Sequence, residues 1–185
     1  MNKYMRAGIS VGIGAMKCGW IKLLRGKDFK CSPINFVSPR TEITIDKGGV
    51  LSMGRKLKLR GGSKIQVRKN ARIDIGNNVF LNNNCRVVAR QCIEIGNDVE
   101  FGPGVLVYDH DHDFRAEGGI SARKYKSSPV IIVNNVLIGA NTVILRGTKI
   151  GDNCVIAAGS VVKGEYPSNV IVIQKRNEEY RELGK

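Results

Sequence analysis

At 185 residues the chain has the length of about one domain, and an apolar share of 42% is enough to bury a core. Aromatic residues make up only 6% while glycine numbers 22, a balance that fits a core of Val, Ile, Leu and Ala joined by tight turns better than a sandwich or a helix bundle. A net charge of +14 calls for an anionic partner. Much of the excess lies in residues 6–30 and 56–72 with no aromatic RNA-binding signature between the charges, so nucleic acid is set aside in favour of a membrane surface, an acidic glycan or a phosphate-rich small molecule.

Residues 1–30 carry Ile9, Ile13, Met16, Trp20 and Leu24 at three- and four-residue steps, the spacing of an amphipathic helix. Lys17 and Lys22 and four glycines interrupt the apolar run from Ala7 to Leu24, so it suits neither a membrane span nor a signal peptide, and a cytoplasmic protein is expected. The helix either covers an open end of the domain that follows or lies along a membrane surface through its basic, apolar face. The cap is the simpler reading. Cys18, Cys31, Cys85, Cys92 and Cys154 are odd in number and widely spaced, without CxxC or Cys/His metal spacing, as expected of free thiols in a reducing compartment.

Residues 31–173 read as one domain, and from Met53 onward an aliphatic residue recurs at six-residue steps. Met53, Leu59 and Ile65 form a degenerate set; Ile75, Leu81 and Val87 follow; after a two-residue slip come Ile95, Phe101 and Val107. The clearest run is IVNNVL, IGANTV, ILRGTK, IGDNCV and IAAGSV, headed by Ile132, Ile138, Ile144, Ile150 and Ile156 and continued by Val162. Four residues after most heads stands a small or β-branched residue (Val136, Thr142, Thr148, Cys154, Ser160), with Tyr166 the exception. Period two would mean a sandwich strand and 3.6 a helix. Period six instead predicts a triangular coil, three short strands and three turns per rung of about 18 residues, with rungs stacked at roughly the 4.8 Å strand spacing. Asn, Asp and Gly would take the corners, where positive φ is needed.

These hexads resemble those of the hexapeptide-repeat acyltransferases, a resemblance that covers residue 53 to about 172. It implies an all-β fold, a left-handed parallel β-helix, with the short N-terminal helix as an addition.

The rhythm has one long break. Between Val107 and Ile132 an insertion, with its extended loop at about 109–130, holds both histidines of the chain in the run Asp109, His110, Asp111, His112. A long polar loop thrown out of a rigid solenoid is a favoured place for function. A neutral imidazole is suited to take the proton of an attacking hydroxyl, and a neighbouring carboxylate, Asp109 or Asp111, can hold its tautomer. Two histidines fall short of the three that the γ-class carbonic anhydrases, which share this coil, resemble, so no metal is expected.

The segments IGNNVFLNNN, IEIGNDVEFGPGV and SSPVIIVNNVLIGANTVI look like the galactoside and maltose acetyltransferase branch and its relatives in surface-glycan gene sets. That resemblance implies an acetyl-CoA-dependent O-acetyltransferase acting on a sugar or polysaccharide-precursor hydroxyl. It makes His110 the base rather than His112, which is left as an acceptor contact, and matches Asn82 to the residue that orients the acceptor. It implies a homotrimer with active sites between subunits, and cofactor contacts at Ala140, Ala158, Lys163 and Gly164. Three departures stand out. Leu137 occupies a place often held by Trp, Arg90 falls where the sugar branch has an acidic acceptor contact, and VIVIQKRNEEY replaces a Gly-x-Pro-Ala-Lys segment. Arg90, kept as an acceptor contact, speaks against a galactoside- or maltose-like acceptor, and the +14 charge fits an anionic glycan or a lipid-linked sugar. N-acetylation of an amino sugar nucleotide and a non-catalytic scaffold are the rival readings. The tail, residues 174–185, reads as a short charged helix or a frayed end.

Overall fold

The computed structural model describes residues 3–175, 177 and 179–182. A helix, α1 (Lys3–Arg25), is followed by a stack of short parallel strands on three faces. The first face carries seven strands, from Phe29–Cys31 through Arg72–Ile75, Cys92–Ile95 and Val130–Ile132 to Glu165–Tyr166. The second also carries seven, from Phe36–Val37 through Phe80–Leu81 to Ile171–Val172, and the third six, from Glu42–Ile45 through Leu106–Tyr108 to Val161–Val162. Each coil visits the faces in turn, so the chain is a parallel β-solenoid of about six turns.

The hexad heads form its interior. Every one named above, from Met53 to Val162, is at most 4% exposed. Register stacks like upon like: Ile73 lies opposite Leu51 and Ile93, and Ile138 opposite Phe101 and Ile156. The small interior positions that carry hydroxyls return them to the backbone, since an unpaired buried hydroxyl would cost free energy. Thr148 donates to Leu145 O at 2.6 Å and Ser160 to Ala157 O at 2.6 Å.

The rung of 18 residues holds only toward the C-terminus. Leu51 faces Ile73, Ile73 faces Ile93, Ile132 faces Ile150 and Ile150 faces Tyr166, so a coil shortens from 22 residues to 20, 18 and 16. Early strands on the first and third faces, such as Val50–Met53 and Lys64–Val67, are four residues long with two inward positions; late ones, such as Lys149–Ile150, have two residues and one. That is why a six-residue pattern fades upstream of Met53 although the coil begins at Phe29.

At the corner between the first and second faces, asparagines stack coil upon coil. Asn77 gives its backbone N–H and side-chain amide to Asn97 Oδ1 (2.8 and 2.9 Å), Asn97 does the same to Asn134, and Asn134 to Asp152. Beside them Asn78, Asp98, Asn135, Asn153 and Asn169 hold φ between 54 and 64°, the left-handed conformation that Asn and Asp tolerate.

Helix α1 lies against the first two strands, but with a face other than the expected one. Gly14, Cys18 and Ile21 face the coil; a Cβ on Gly14 would stand 3.0 Å from Val37 N, tighter than an ordinary contact, so glycine eases this approach. Ile9, Met16, Trp20 and Leu24 are 48–69% exposed. Of the two readings of the tail, a helix is not found among its described residues. Gln174 instead pairs with the edge of the third face, accepting from Val161 N at 2.9 Å and donating to Val161 O at 2.6 Å.

Candidate active site

The chain leaves the solenoid where the third face ends at Leu106–Tyr108 and would turn to the first. In the coil beneath, the same corner is the turn Arg90–Gln91, which exposes successive backbone N–H groups to one point. Asp109 fills that point. Its carboxylate is fully buried, with Oδ1 accepting from Arg90 N (2.8 Å) and Oδ2 from Gln91 N (2.7 Å) and Cys92 N (2.8 Å). A concave run of amides of this kind is an anion seat. The seat fixes the origin of the loop.

His110 follows, its Nδ1 2.9 Å from Asp109 Oδ1 and its side chain 12% exposed. Asp109 already takes three N–H groups and can only accept from the ring. Nδ1 of a neutral His110 therefore carries the hydrogen and Nε2 keeps the lone pair. The loop then runs back on itself: His110–His112 pairs antiparallel with Tyr125–Ser127, His110 opposite Ser127 and His112 opposite Tyr125. Tyr108 and Tyr125 meet the His110 ring edge-on, with centroids 5.8 and 5.6 Å away, and His112 leans on Tyr125 at 4.5 Å. The Arg90 guanidinium stacks on the Tyr125 ring, Cζ 3.3 Å from its centre, and its Nε is buried without a hydrogen-bond partner.

Alternation separates the two carboxylates. Asp111 sits away from both imidazoles, half-exposed, and binds Arg146 Nε of the next coil at 2.6 Å. Gly147 N also donates to Ser128 O at 3.2 Å, so the loop is held from above as well as below. The structure thus gathers Asp109, His110, His112 and Arg90 around Tyr125. Sequence reasoning does not single out Tyr125, Tyr108 or Arg146: the hairpin's fold-back brings Tyr125 near, the stacking of the next coil brings Arg146, and Tyr108, two residues from His110, carries no motif of its own.

The remaining expected site residues fall on two corners. Asn82 lies between the second and third faces, partly exposed, its Oδ1 accepting from Asn83 N at 2.9 Å. Ala140 and Ala158 stand on the same corner in later coils, where a Cβ on Gly139 would approach Ala158 N to 2.4 Å. Lys163, exposed, and Gly164, at φ 98°, belong to the corner of the His110 loop. Within one chain the third face separates Asn82, Ala140 and Ala158 from His110. Two grooves of the single chain lie elsewhere, one along Lys58, Phe80, Glu100 and Leu137 and another along Asp74, Glu94 and Ile131. Among the described residues no three His, Cys, Asp or Glu side chains converge as a metal site would require.

Fold and loop together define a parallel β-solenoid of six-residue repeats carrying a histidine-bearing insertion. Residues 129–164 match the family model of the bacterial transferase hexapeptide (six repeats). The chain is 39% identical over 99 residues to a galactoside O-acetyltransferase of Escherichia coli K12, covering 54% of this chain and 48% of that enzyme. It is 27% identical over 166 residues to a putative lipopolysaccharide biosynthesis O-acetyl transferase, WbbJ, of the same organism, covering 84% of each. Among solved structures it resembles a hexapeptide-repeat acetyltransferase of Vibrio cholerae complexed with acetyl coenzyme A (TM-score 0.54, 32% identity, 64% of this chain and 63% of that one). Residues 129–164 thus carry the six-residue repeat of the bacterial hexapeptide transferases, and the chain is similar to acetyltransferases built on it. It spans about half the length of the first of these curated relatives.

Proposed function

We propose that the chain is an acetyl-CoA-dependent O-acetyltransferase whose acceptor is a hydroxyl of a sugar or polysaccharide precursor, with His110 as general base. The observation that carries this reading is the Asp109–His110 pair, a buried, fully occupied carboxylate that orients one imidazole and leaves its Nε2 as the proton acceptor. His110 Nε2 takes the acceptor proton as that oxygen attacks the thioester carbonyl. Asp109 stabilises the imidazolium, and the proton is then available to the departing thiolate. Positioned proton transfer of this kind is worth about 10²–10⁴ in rate.

The rest of the site follows from the two corners. In a homotrimer, the loop corner of one subunit would face the neighbour's corner that carries Asn82, Ala140 and Ala158, giving the site the second wall that the single chain lacks. Asn82 would orient the acceptor. The crowded backbone around Ala140 and Ala158 would meet the extended pantetheine arm of acetyl-CoA, with Lys163 and Gly164 nearer its phosphates. Arg90 supports an acceptor with a carboxylate or phosphate, since its guanidinium is already flattened on Tyr125 and its buried Nε has nothing to bind. Such a glycan precursor fits an enzyme that works in the cytoplasm at the inner face of the membrane.

The test is thiol release from acetyl-CoA with a panel of neutral, acidic and amino sugars, comparing the native chain with His110→Ala. Loss of release in the variant is expected, and near-full retention would sink the assignment. Turnover of amino sugars alone would convert the reading to N-acetylation. A chain whose melting temperature CoA leaves unchanged would be a scaffold, since a ligand bound to the native state raises its stability.

A further inference from the structure

Helix α1 presents a second surface that acyl transfer does not use. Ile9, Met16, Trp20, Leu23 and Leu24 are 48–75% exposed and form one stripe on the side of the helix turned away from Gly14, Cys18 and Ile21. Ile34, in the turn beside the helix, adds another apolar side chain at 62% exposure. A contiguous apolar patch of this size on a protein surface marks an interaction site.

The charge around it is of one sign. Residues 1–30 contain Lys3, Arg6, Lys17, Lys22, Arg25, Lys27 and Lys30 against the single acid Asp28. Two of these cations are tethers: Lys17 binds the carbonyls of Pro39 and Thr41, and Lys22 those of Gly26 and Phe29, at 2.8 Å each. They fix the helix on the first coil with its stripe outward. Arg25, Lys27 and Lys30 remain exposed at the end of the stripe. No helix among the described residues is long and apolar enough to cross a membrane.

From this we infer that α1 is an interfacial membrane anchor, its Met16–Trp20–Leu24 stripe lying in the headgroup region of an anionic phospholipid bilayer. A helix with an apolar stripe that includes Trp and with flanking Lys and Arg is built to lie in that plane. Charge decides between occupants. A second copy of the chain would bring the same cations against these, whereas an acidic lipid surface neutralises them as the stripe is buried. Because α1 is fixed to the first coil, the N-terminal end of the solenoid would stand at the bilayer.

Trp20 is the single tryptophan of the chain and sits on the stripe, so its emission reads the contact directly. The full chain is mixed with vesicles of phosphatidylglycerol and phosphatidylcholine or of phosphatidylcholine alone. Expected are co-sedimentation with the anionic vesicles, a blue shift of Trp20 emission, quenching by brominated lipid, and binding roughly tenfold weaker when salt shortens the screening length from about 10 Å to 3 Å. The variant Leu23→Glu/Leu24→Glu should lose co-sedimentation at an unchanged melting temperature. The quenching and salt arms need only the native chain, so misfolding of the variant would not spare the idea. Unshifted emission, equal binding to neutral vesicles, or a concentration-dependent dimer that the variant dissolves would each overturn it.

Discussion

Two corners of the solenoid are built from short polar side chains and use them in opposite ways. At the asparagine corner Asn77, Asn97, Asn134 and Asp152 repeat one arrangement, each accepting from the coil before it. At the loop corner a single carboxylate, Asp109, takes three backbone N–H groups of the coil beneath, an arrangement without a counterpart among the described residues. The ladder spreads its load, while the seat concentrates it on one side chain. A repeated motif can lose a member cheaply. A unique one cannot, and that is where the imidazole has been attached.

The largest effect is therefore expected at Asp109. Asp109→Ala leaves three buried N–H groups unpaired, at about 1–3 kcal/mol each before relaxation, so urea unfolding should show a loss of about 3 kcal/mol or more together with loss of acetyl transfer. Asp109→Asn separates the two roles. It keeps an acceptor oxygen but offers the wrong partner to His110, so the rate should fall by about 10²–10⁴ with a smaller stability change. If both variants unfold alike and transfer alike, the seat is only structural.

Arg90→Met comes next. It should weaken use of acidic acceptors by about tenfold or more while sparing neutral ones, since a charge-assisted hydrogen bond is worth about 1.5–3 kcal/mol; an equal loss for both would deny Arg90 a part in selectivity. In the ladder, Asn134→Ala should cost about 1 kcal/mol by chemical unfolding and leave transfer intact. A cost matching that of Asp109→Ala would erase the contrast between the corners.

The smallest effect belongs to Cys31, in the first coil against helix α1. The Cys18 thiol donates to it, as does the Asn35 amide at 3.3 Å, and together they draw Cys31 down to about 7 while Cys18 is pushed up, chiefly by that same hydrogen bond. A thiol lowered in the folded chain favours folding as its thiolate. Its contribution is full above the ordinary value of 9.0 and is lost as pH falls through about 7. Alkylation of Cys31 in the folded protein should accordingly rise with a midpoint near pH 7; a midpoint near 9 would contradict the pairing with Cys18.

Legibility in the sequence tracked how local the cause was. The run from Ile132 to Val162 could be read directly, because one strand and one turn fill each six residues. Residues 29–52 could not, since strands such as Val50–Met53 place two side chains inward and the period changes from face to face. The slip before Ile95 was the visible trace of that change. In α1 the eye followed the large residues to Met16 and Trp20, whereas close packing selected the small ones, Gly14 and Cys18. The run from Asp109 to His112 was conspicuous as chemistry. Which carboxylate serves which partner depended on strand alternation, and Tyr125, on the returning arm of the hairpin, depended on a pairing that no local signal encodes.

A stack of parallel strands contains no instruction to stop. Every coil offers the next an edge that a foreign strand could occupy as readily as its own. On the third face that invitation is withdrawn by one side chain, as Gln174 answers both the N–H and the carbonyl of Val161. A single amide thus holds the place on that face that another strand would take.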